Sequence, residues 1–519
     1  MSWKPELDEL AERQRLAAQM GGPEGVARQR SRGKLTVRER LPLLADPGTF
    51  REFNALRGQG TYDEHGVLTG FTPQGKVEGT CEIDGRKVVV TAGDFTVRGG
   101  SGGGAHGGLG EELSASERAL EWRLPYVRLL DAAGGSVRSF EEIGRTYLPD
   151  GNSFTYPEIE LMNVVPCVSA VMGAAAGIGA LHTNLAHWNV MVAGTQVFPG
   201  GPPVVKAALG IDITKEDLGG PQIHTQISGV VDNLAATEQE AIAMVRDFLS
   251  YLPSSVDELP PLHEPADPID HDPAELRGLV PKNPRQTHDA HRLVELVVDD
   301  GSFFEIAPRY GRARITGLAR IDGHPVGIMA NDPSHLGGAT DVAAGSKAAR
   351  LIQLCDLFHL PLVDLVDEPG LMVGLDSERA GIERAGARLV CITNLSRTPW
   401  IAVIVRRLYG VGGQAHHRPS GMFRRYAWPS ARWGSMHIAG GASAAYRREI
   451  ESADDPEAKR IEIEERLDRL GSPFRTAEAT GQDIIDPADT RAVIAEFVHD
   501  AQRLLVRQLG VPPTLPYLP

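Results

Sequence analysis

The pattern of apolar and polar positions changes character near residue 46. Residues 1 to 45 are charged and amphipathic, carry the basic run Arg28-Gln29-Arg30-Ser31-Arg32-Gly33-Lys34, and predict helices followed by a linker. Beyond them, short apolar runs alternate with glycine-rich turns and helical patterns, which predicts β and α units packed in layers.

A longer period lies over this alternation. Ile83-Asp84-Gly85 opens a strand, Val88-Val89-Val90, and the chain then turns at Gly99-Gly100. Ile321-Asp322-Gly323 leads in the same way through Val326-Gly327-Ile328 to Gly337-Gly338, and 321 − 83 and 337 − 99 both give 238. Leu129 to Gly134 is echoed by Leu365 to Gly370 at an offset of 236, and Pro166 to Gly179 by Pro399 to Gly412 at 233. Repeats of roughly 20 to 50 residues build solenoids, whereas a period this long means two similar domains in one chain. The Pro- and Asp-rich stretch Leu252 to Pro284 reads as the linker, and we place the domains at 1–265 and 266–519.

Composition narrows the function classes. With 519 residues, 42% hydrophobic and 23% charged, the chain can bury more than one core. A net charge of -15 argues against a nucleic-acid surface. Cys81, Cys167, Cys355 and Cys391 form no C-x-x-C pair, so neither a zinc ribbon nor a disulfide framework is expected, and no metal site is predicted. The first twenty residues lack the apolar core of a signal peptide, and no run of about 18 uncharged apolar residues occurs. A cytoplasmic protein with no membrane contact is the expectation.

The turns themselves suggest chemistry. Backbone N–H groups at a glycine turn that opens a helix can hold a developing negative oxygen. In the first half the candidates are the segment Val168 to Ala180, an apolar strand running into small residues, and the paired turn Asp131-Ala132-Ala133-Gly134-Gly135-Ser136. In the second half the matching segments are Val366 to Gly370 and Leu408 to Gln414. Two such sites suit a reaction with two oxyanions, a thioester enolate and the ureido oxygen of biotin. Such a reaction can do without a side-chain base, and no Ser/His/Asp or Cys/His arrangement is found. His182, His187 and Trp188 read more readily as packed or satisfied groups than as catalysts. Glu141-Glu142 reads as a solvent-facing pair.

These residues resemble a known family, the carboxyltransferase (β) subunits of biotin-dependent acyl-CoA carboxylases of the propionyl-CoA and methylcrotonyl-CoA type. The resemblance runs along nearly the whole chain, through Arg32 to Arg40, Gly93 to Ser101, Gly201 to Ala207, Asp217 to Gly220, Lys347 to Arg350, Trp428 to Arg432 and Asp483 to Arg491. It implies an α/β fold of two tandem crotonase-like (ClpP/crotonase) domains, with acyl-CoA on the first and biotin on the second domain of a neighbouring subunit. It also implies a homo-oligomer, usually a hexamer, and a partner α subunit supplying biotin carboxylase and the biotin carrier, since no A-M-K-M motif is found here.

Carried over by residue, the acyl-CoA oxyanion donors fall at Gly135, Ile178 and Gly179, and the biotin-side donors at Gly370, Val411 and Gly412. Arg98, Gly99, Gly100 and Lys206 become candidate CoA contacts; Lys206 reads equally well as a solvated helix lysine. The chain departs from the family's pattern at Gly177-Ile178-Gly179, at Leu181 where a tyrosine is usual, and at His416-His417 and Met436 to Ala439. The competing readings are a biotin-dependent decarboxylase or transcarboxylase subunit, a non-catalytic scaffold subunit, and generic crotonase hydration or hydrolysis.

Overall fold

Strongly apolar runs such as Val88-Val89-Val90 and Leu362 to Val366 are buried on both faces, the condition of parallel strands covered by helices. A computed structural model of the protein describes residues 3–100, 113–135, 141, 144–146, 151–265, 267, 274–283, 285–416 and 421–519. It divides into two units, Met1–Val256 with Pro519, and Asp257–Leu518.

The first unit contains β1 (Arg51–Phe53), the separate hairpin β2 (Gly58–Tyr62) and β3 (Leu68–Pro73), then β4 (Lys76–Ile83), β5 (Arg86–Gly93), β6 (Tyr126–Ala132), β7 (Cys167–Ala176), β8 (Trp188–Val192), β9 (Gln196–Phe198) and β10 (Asn233–Ala235). Its main sheet runs β1-β4-β5-β6-β7-β8-β10, with β9 also paired to β7. The second unit contains β11 (Phe304–Glu305), β12 (Arg314–Ile321), β13 (His324–Asn331), β14 (Leu362–Glu368), β15 (Trp400–Tyr409), β16 (Phe423–Ala427), β17 (Arg432–Gly434) and β18 (Asp483–Ile484). Its order is β11-β12-β13-β14-β15-β16-β18, with β17 on β15. The two sheets share one topology, an antiparallel hairpin feeding parallel strands.

The repeat extends to single backbone angles. Asp84 and Gly85 (φ 51° and 74°) form the tight turn between β4 and β5, and Asp322 and Gly323 (φ 49° and 74°) do the same between β12 and β13. An Asp-Gly pair with both φ positive is the hairpin turn that matches strand twist. The sequence motif therefore closes a hairpin, and the strand it precedes begins at Arg86. The β6–β7 register shifts between Leu130 and Ala132, and the β14–β15 register between Val366 and Glu368, at the same step of the repeat.

At the N-terminus, helices span Lys4–Ala18, Gly22–Ser31 and Val37–Leu44, the last opened by a capping box of Thr36 and Glu39. In the first unit Trp188 stacks on Phe248 at 5.1 Å and donates to Asn233 Oδ1 at 2.9 Å. The second core joins Val294, Ile315, Ile328, Val363, Val403 and Phe497.

Candidate functional site

The end of β6 is held from below by ions. Asp131 is fully buried and accepts from Arg40 Nη2 (2.9 Å) and Gln29 Nε2 (3.1 Å), while Arg40 Nε donates to Glu238 (2.6 Å). Burial of this kind is tolerated only when the charges are paired. Gly100 lies over the same strand end, where a Cβ would come within 2.3 Å of Asp131 O, and Ala133 N–H donates to Gly99 O (2.9 Å). The Arg98-Gly99-Gly100 turn is thereby fixed beside Ala133 and Gly134.

The neighbouring strand β7 is followed by Gly177, whose φ of 62° and ψ of −122° suit glycine alone. Its N–H donates to Phe198 O (3.2 Å), its carbonyl accepts from Ala180 N–H (3.1 Å), and the helix Ile178–Asn184 begins. The first amides of a helix have no intrahelical acceptor, so those of Ile178 and Gly179 are the available donors. Gly134 sits directly against Ala176, 3.2 Å from its carbonyl for an added Cβ, so the two glycine turns meet. Gly135 is exposed and Ile178 is 45% exposed, whereas Gly179 is buried.

The second unit repeats the arrangement with different side chains. Glu368, at the end of β14, is fully buried and accepts from Arg314 Nη2 (2.7 Å), Thr340 Oγ1 (2.5 Å) and Asn331 Nδ2 (3.1 Å). Burial pushes its carboxyl up, but the His416 hydrogen bond, the Arg314 charge and the Thr340 hydroxyl outweigh this and hold it at about 2. Gly370 N–H already donates to Glu368 Oε1 (3.0 Å). Strand β15 is followed by Gly410 (φ 64°, against 62° at Gly177), where a tight helical turn begins and runs to His416. Gly412 packs on the Glu368 side chain and on Gly370, with Glu368 Cγ and Gly370 Cα each 3.1 Å from an added Cβ, and Val411 is 66% exposed.

The remaining candidates scatter. Arg98 is exposed and donates to Gln59 Oε1 (3.0 Å), next to the first turn pair. Lys206 lies on the exposed helix Pro202–Leu209 and pairs with Asp212 (2.7 Å). His187 is buried between Cys167 N–H (2.9 Å) and Met162 O (2.8 Å), so it is a satisfied core group, as Trp188 is. His182 stands 3.4 Å from Glu158, and burial lowers its pKa. Ser101, Ser136, Glu142 and His417 lie outside the described residues. Among the described residues no His, Cys, Asp or Glu cluster could hold a metal ion, and no helix is long and apolar enough to cross a membrane.

Sequence reasoning missed the buried ionic supports, Arg40 with Asp131 and Glu238, and Arg314 with Glu368. A usable signal was present, namely charged residues such as Asp131, Asp364 and Glu368 inside otherwise apolar strand runs.

The profile of the family described as "Carboxyl transferase domain" matches residues 28–504. The propionyl-CoA carboxylase carboxyltransferase subunit of Haloferax mediterranei is 37% identical over 503 residues, covering 95% of both chains. The methylmalonyl-CoA carboxyltransferase 12S subunit of Propionibacterium freudenreichii subsp. shermanii is 35% identical over 494 residues, covering 94% of this chain and 93% of that one. The solved transcarboxylase 12S structure, described as a hexamer assembly with methylmalonyl-coenzyme A bound, superposes with a TM-score of 0.85 at 32% identity, covering 97% of this chain and 96% of that chain. With matches over nearly its full length, and with a fold built from two tandem crotonase-like halves, this chain belongs to the carboxyltransferase subunits of the biotin-dependent acyl-CoA carboxylases.

Proposed function

We propose that the chain places a carboxyl group on the α, or vinylogous γ, carbon of an acyl-CoA by holding two transient anions with main-chain amides, one set in each half. What supports this reading is that both sheets end in the same pair of abutting glycine turns, in which we assign the amides of Ile178 and Gly179 in one and Val411 and Gly412 in the other as donors. Residues 1–265 form the acyl-CoA side and residues 266–519 the biotin side.

When bound, carboxybiotin supplies the activated carboxyl group. The chain's own part is electrostatic. The amides of Ile178, Gly179 and Gly135 would steady the thioester oxygen as it gains charge, and those of Val411 and Gly412 the ureido oxygen, with Gly370 fixing the loop behind them. Each such donor is typically worth roughly 100- to 1000-fold in rate. Arg98, Gly99, Gly100 and Lys206 are assigned to CoA contacts. Ile178 and Leu181, both exposed and one helical turn apart, would meet the acyl chain. Biotin arrives on a partner α subunit carrying biotin carboxylase and the carrier, and the chain assembles with copies of itself, a hexamer being supported by the assembly of the transcarboxylase 12S relative.

The test is to isolate the chain with its natural partners and screen short, branched and long acyl-CoAs for bicarbonate fixation. Carboxylated product should form only with ATP and a biotinylated carrier. Fixation by the chain alone, or a complex inert toward every acyl-CoA, would refute the reading, the latter in favour of a scaffold subunit. A second reading is favoured by the likeness to the methylmalonyl-CoA carboxyltransferase 12S subunit: transfer between acyl-CoAs or decarboxylation, without ATP. Turnover of the native complex that never requires ATP would select it.

A further inference from the structure

His416 is the last residue of the turn Gly410–His416, and its ring is completely buried between two carboxylates of one strand. Nδ1 lies 2.7 Å from Asp364 Oδ2, and Nε2 lies 3.4 Å from Glu368 Oε2. Glu368 in turn accepts the amide of Gly370 and carries Gly412 against its side chain. One ring thus ties the far end of the second amide turn to the group that organises its near end.

We propose that His416 is the positioning residue of the biotin-side amides, locking the Val411–Gly412 turn against Gly370 by acting as a doubly protonated bridge between Asp364 and Glu368. This rests on the reading of Val411 and Gly412 as oxyanion donors.

Ionised carboxylates only accept hydrogen bonds, so a ring that donates to two of them must hold a proton on each nitrogen. Arg314 Nη1 also stands 3.3 Å from Nε2, a contact that is a hydrogen bond only to a neutral ring, since a guanidinium solely donates; in the protonated ring Nε2–H turns to Glu368, which Arg314 reaches separately through Nη2 at 2.7 Å. Burial alone would favour the neutral ring, but the Asp364 charge and the two hydrogen bonds prevail over it and over Arg314, raising the pKa above the ordinary 6.5. Helix Ile382–Leu395 buries Ile382, Gly386, Leu389, Ile392 and Thr393, while Arg406 and Arg407 of β15 are held by Gln286 O (2.8 Å) and Asp367 (2.6 Å).

The experiment compares the wild-type complex with His416→Asn and Gly412→Val, measuring kcat, the KM for acyl-CoA and for free biotin in the exchange half-reaction, and the pH profile. In His416→Asn, kcat should fall on the order of 10- to 100-fold, as expected for misplaced catalytic groups, with the acyl-CoA KM unchanged. Wild-type turnover should decline as pH rises through the His416 titration, and the variant should lose that limb. Wild-type kcat and an unaltered alkaline limb in His416→Asn, beside an inactive Gly412→Val, overturn the proposal alone. Full activity in Gly412→Val overturns the underlying reading with it. Should His416→Asn not fold, hydrogen exchange of the wild-type protein decides: amides 411–416 should lose protection on raising pH while those of β14 do not, and equal protection at both pH values overturns the proposal.

Discussion

Replacing Gly177 by alanine isolates the contribution of a single backbone angle. At φ 62° and ψ −122° an L-residue is strained, yet a Cβ there would meet no atom within 4 Å, so the perturbation is conformational and not steric. Holding the native angle costs about 1–3 kcal/mol. The cheaper response is rotation of the following peptide, which swings the Ile178 and Gly179 amides away from their present directions. Losing one aligned donor lowers turnover roughly 100- to 1000-fold. Gly85→Ala is the matched control, with φ 74°, nothing within 4 Å of its Cβ, and a position at the hairpin turn away from the glycine pairs. Calorimetry and initial rates of acyl-CoA carboxylation in the complex should show a similar modest loss of Tm in both variants but a collapse of kcat in Gly177→Ala alone. Equal destabilisation with wild-type kcat in Gly177→Ala would refute the role given to these amides.

Arg40→Ala leaves Asp131 and Glu238 buried without their shared cation, and should cost about 3–5 kcal/mol in denaturant unfolding of the first unit; a loss near zero would show that water replaces the ion there. For pH, the signs differ between the two groups. Glu368, held at about 2, contributes stability present above its ordinary 4.5 and lost as pH falls toward 2. His416, raised above 6.5, contributes stability present below 6.5 and lost as pH rises through its folded value. Unfolding midpoints of the second unit should therefore be highest between these limits, and His416→Asn should flatten the alkaline side. Lys206→Ala should leave Tm unchanged, because its pair with Asp212 is exposed, and raise the acyl-CoA KM several-fold; an unchanged KM would assign Lys206 to solvent alone.

Much of the fold was legible because a duplicated chain supplies its own alignment. The offset of 238 between Ile83 and Ile321 could be read without knowing either structure, and the matching φ values of the two Asp-Gly turns show that the sequence echo recorded a shared backbone. The glycine turns were legible for a related reason, since the positive φ at Gly177 and Gly410 favours glycine at those positions. The supports beneath them were not. Arg40 and Glu238 lie 198 positions apart, and Gln29 and Asp131 lie 102 apart, so no local pattern links them. His416 was noticed as out of place, but its meaning depends on Asp364 and Glu368, spaced along a strand 48 to 52 residues earlier.

The drift of the repeat offset from 238 through 236 to 233 has a practical consequence. Seven-residue β6 and β14, and ten-residue β7 and β15, keep their lengths, so the drift across this stretch falls in the segments joining these strands. Those segments are spacers of adjustable length between fixed mounting points. Protein engineers could exchange them between homologous chains while leaving the strand tips undisturbed.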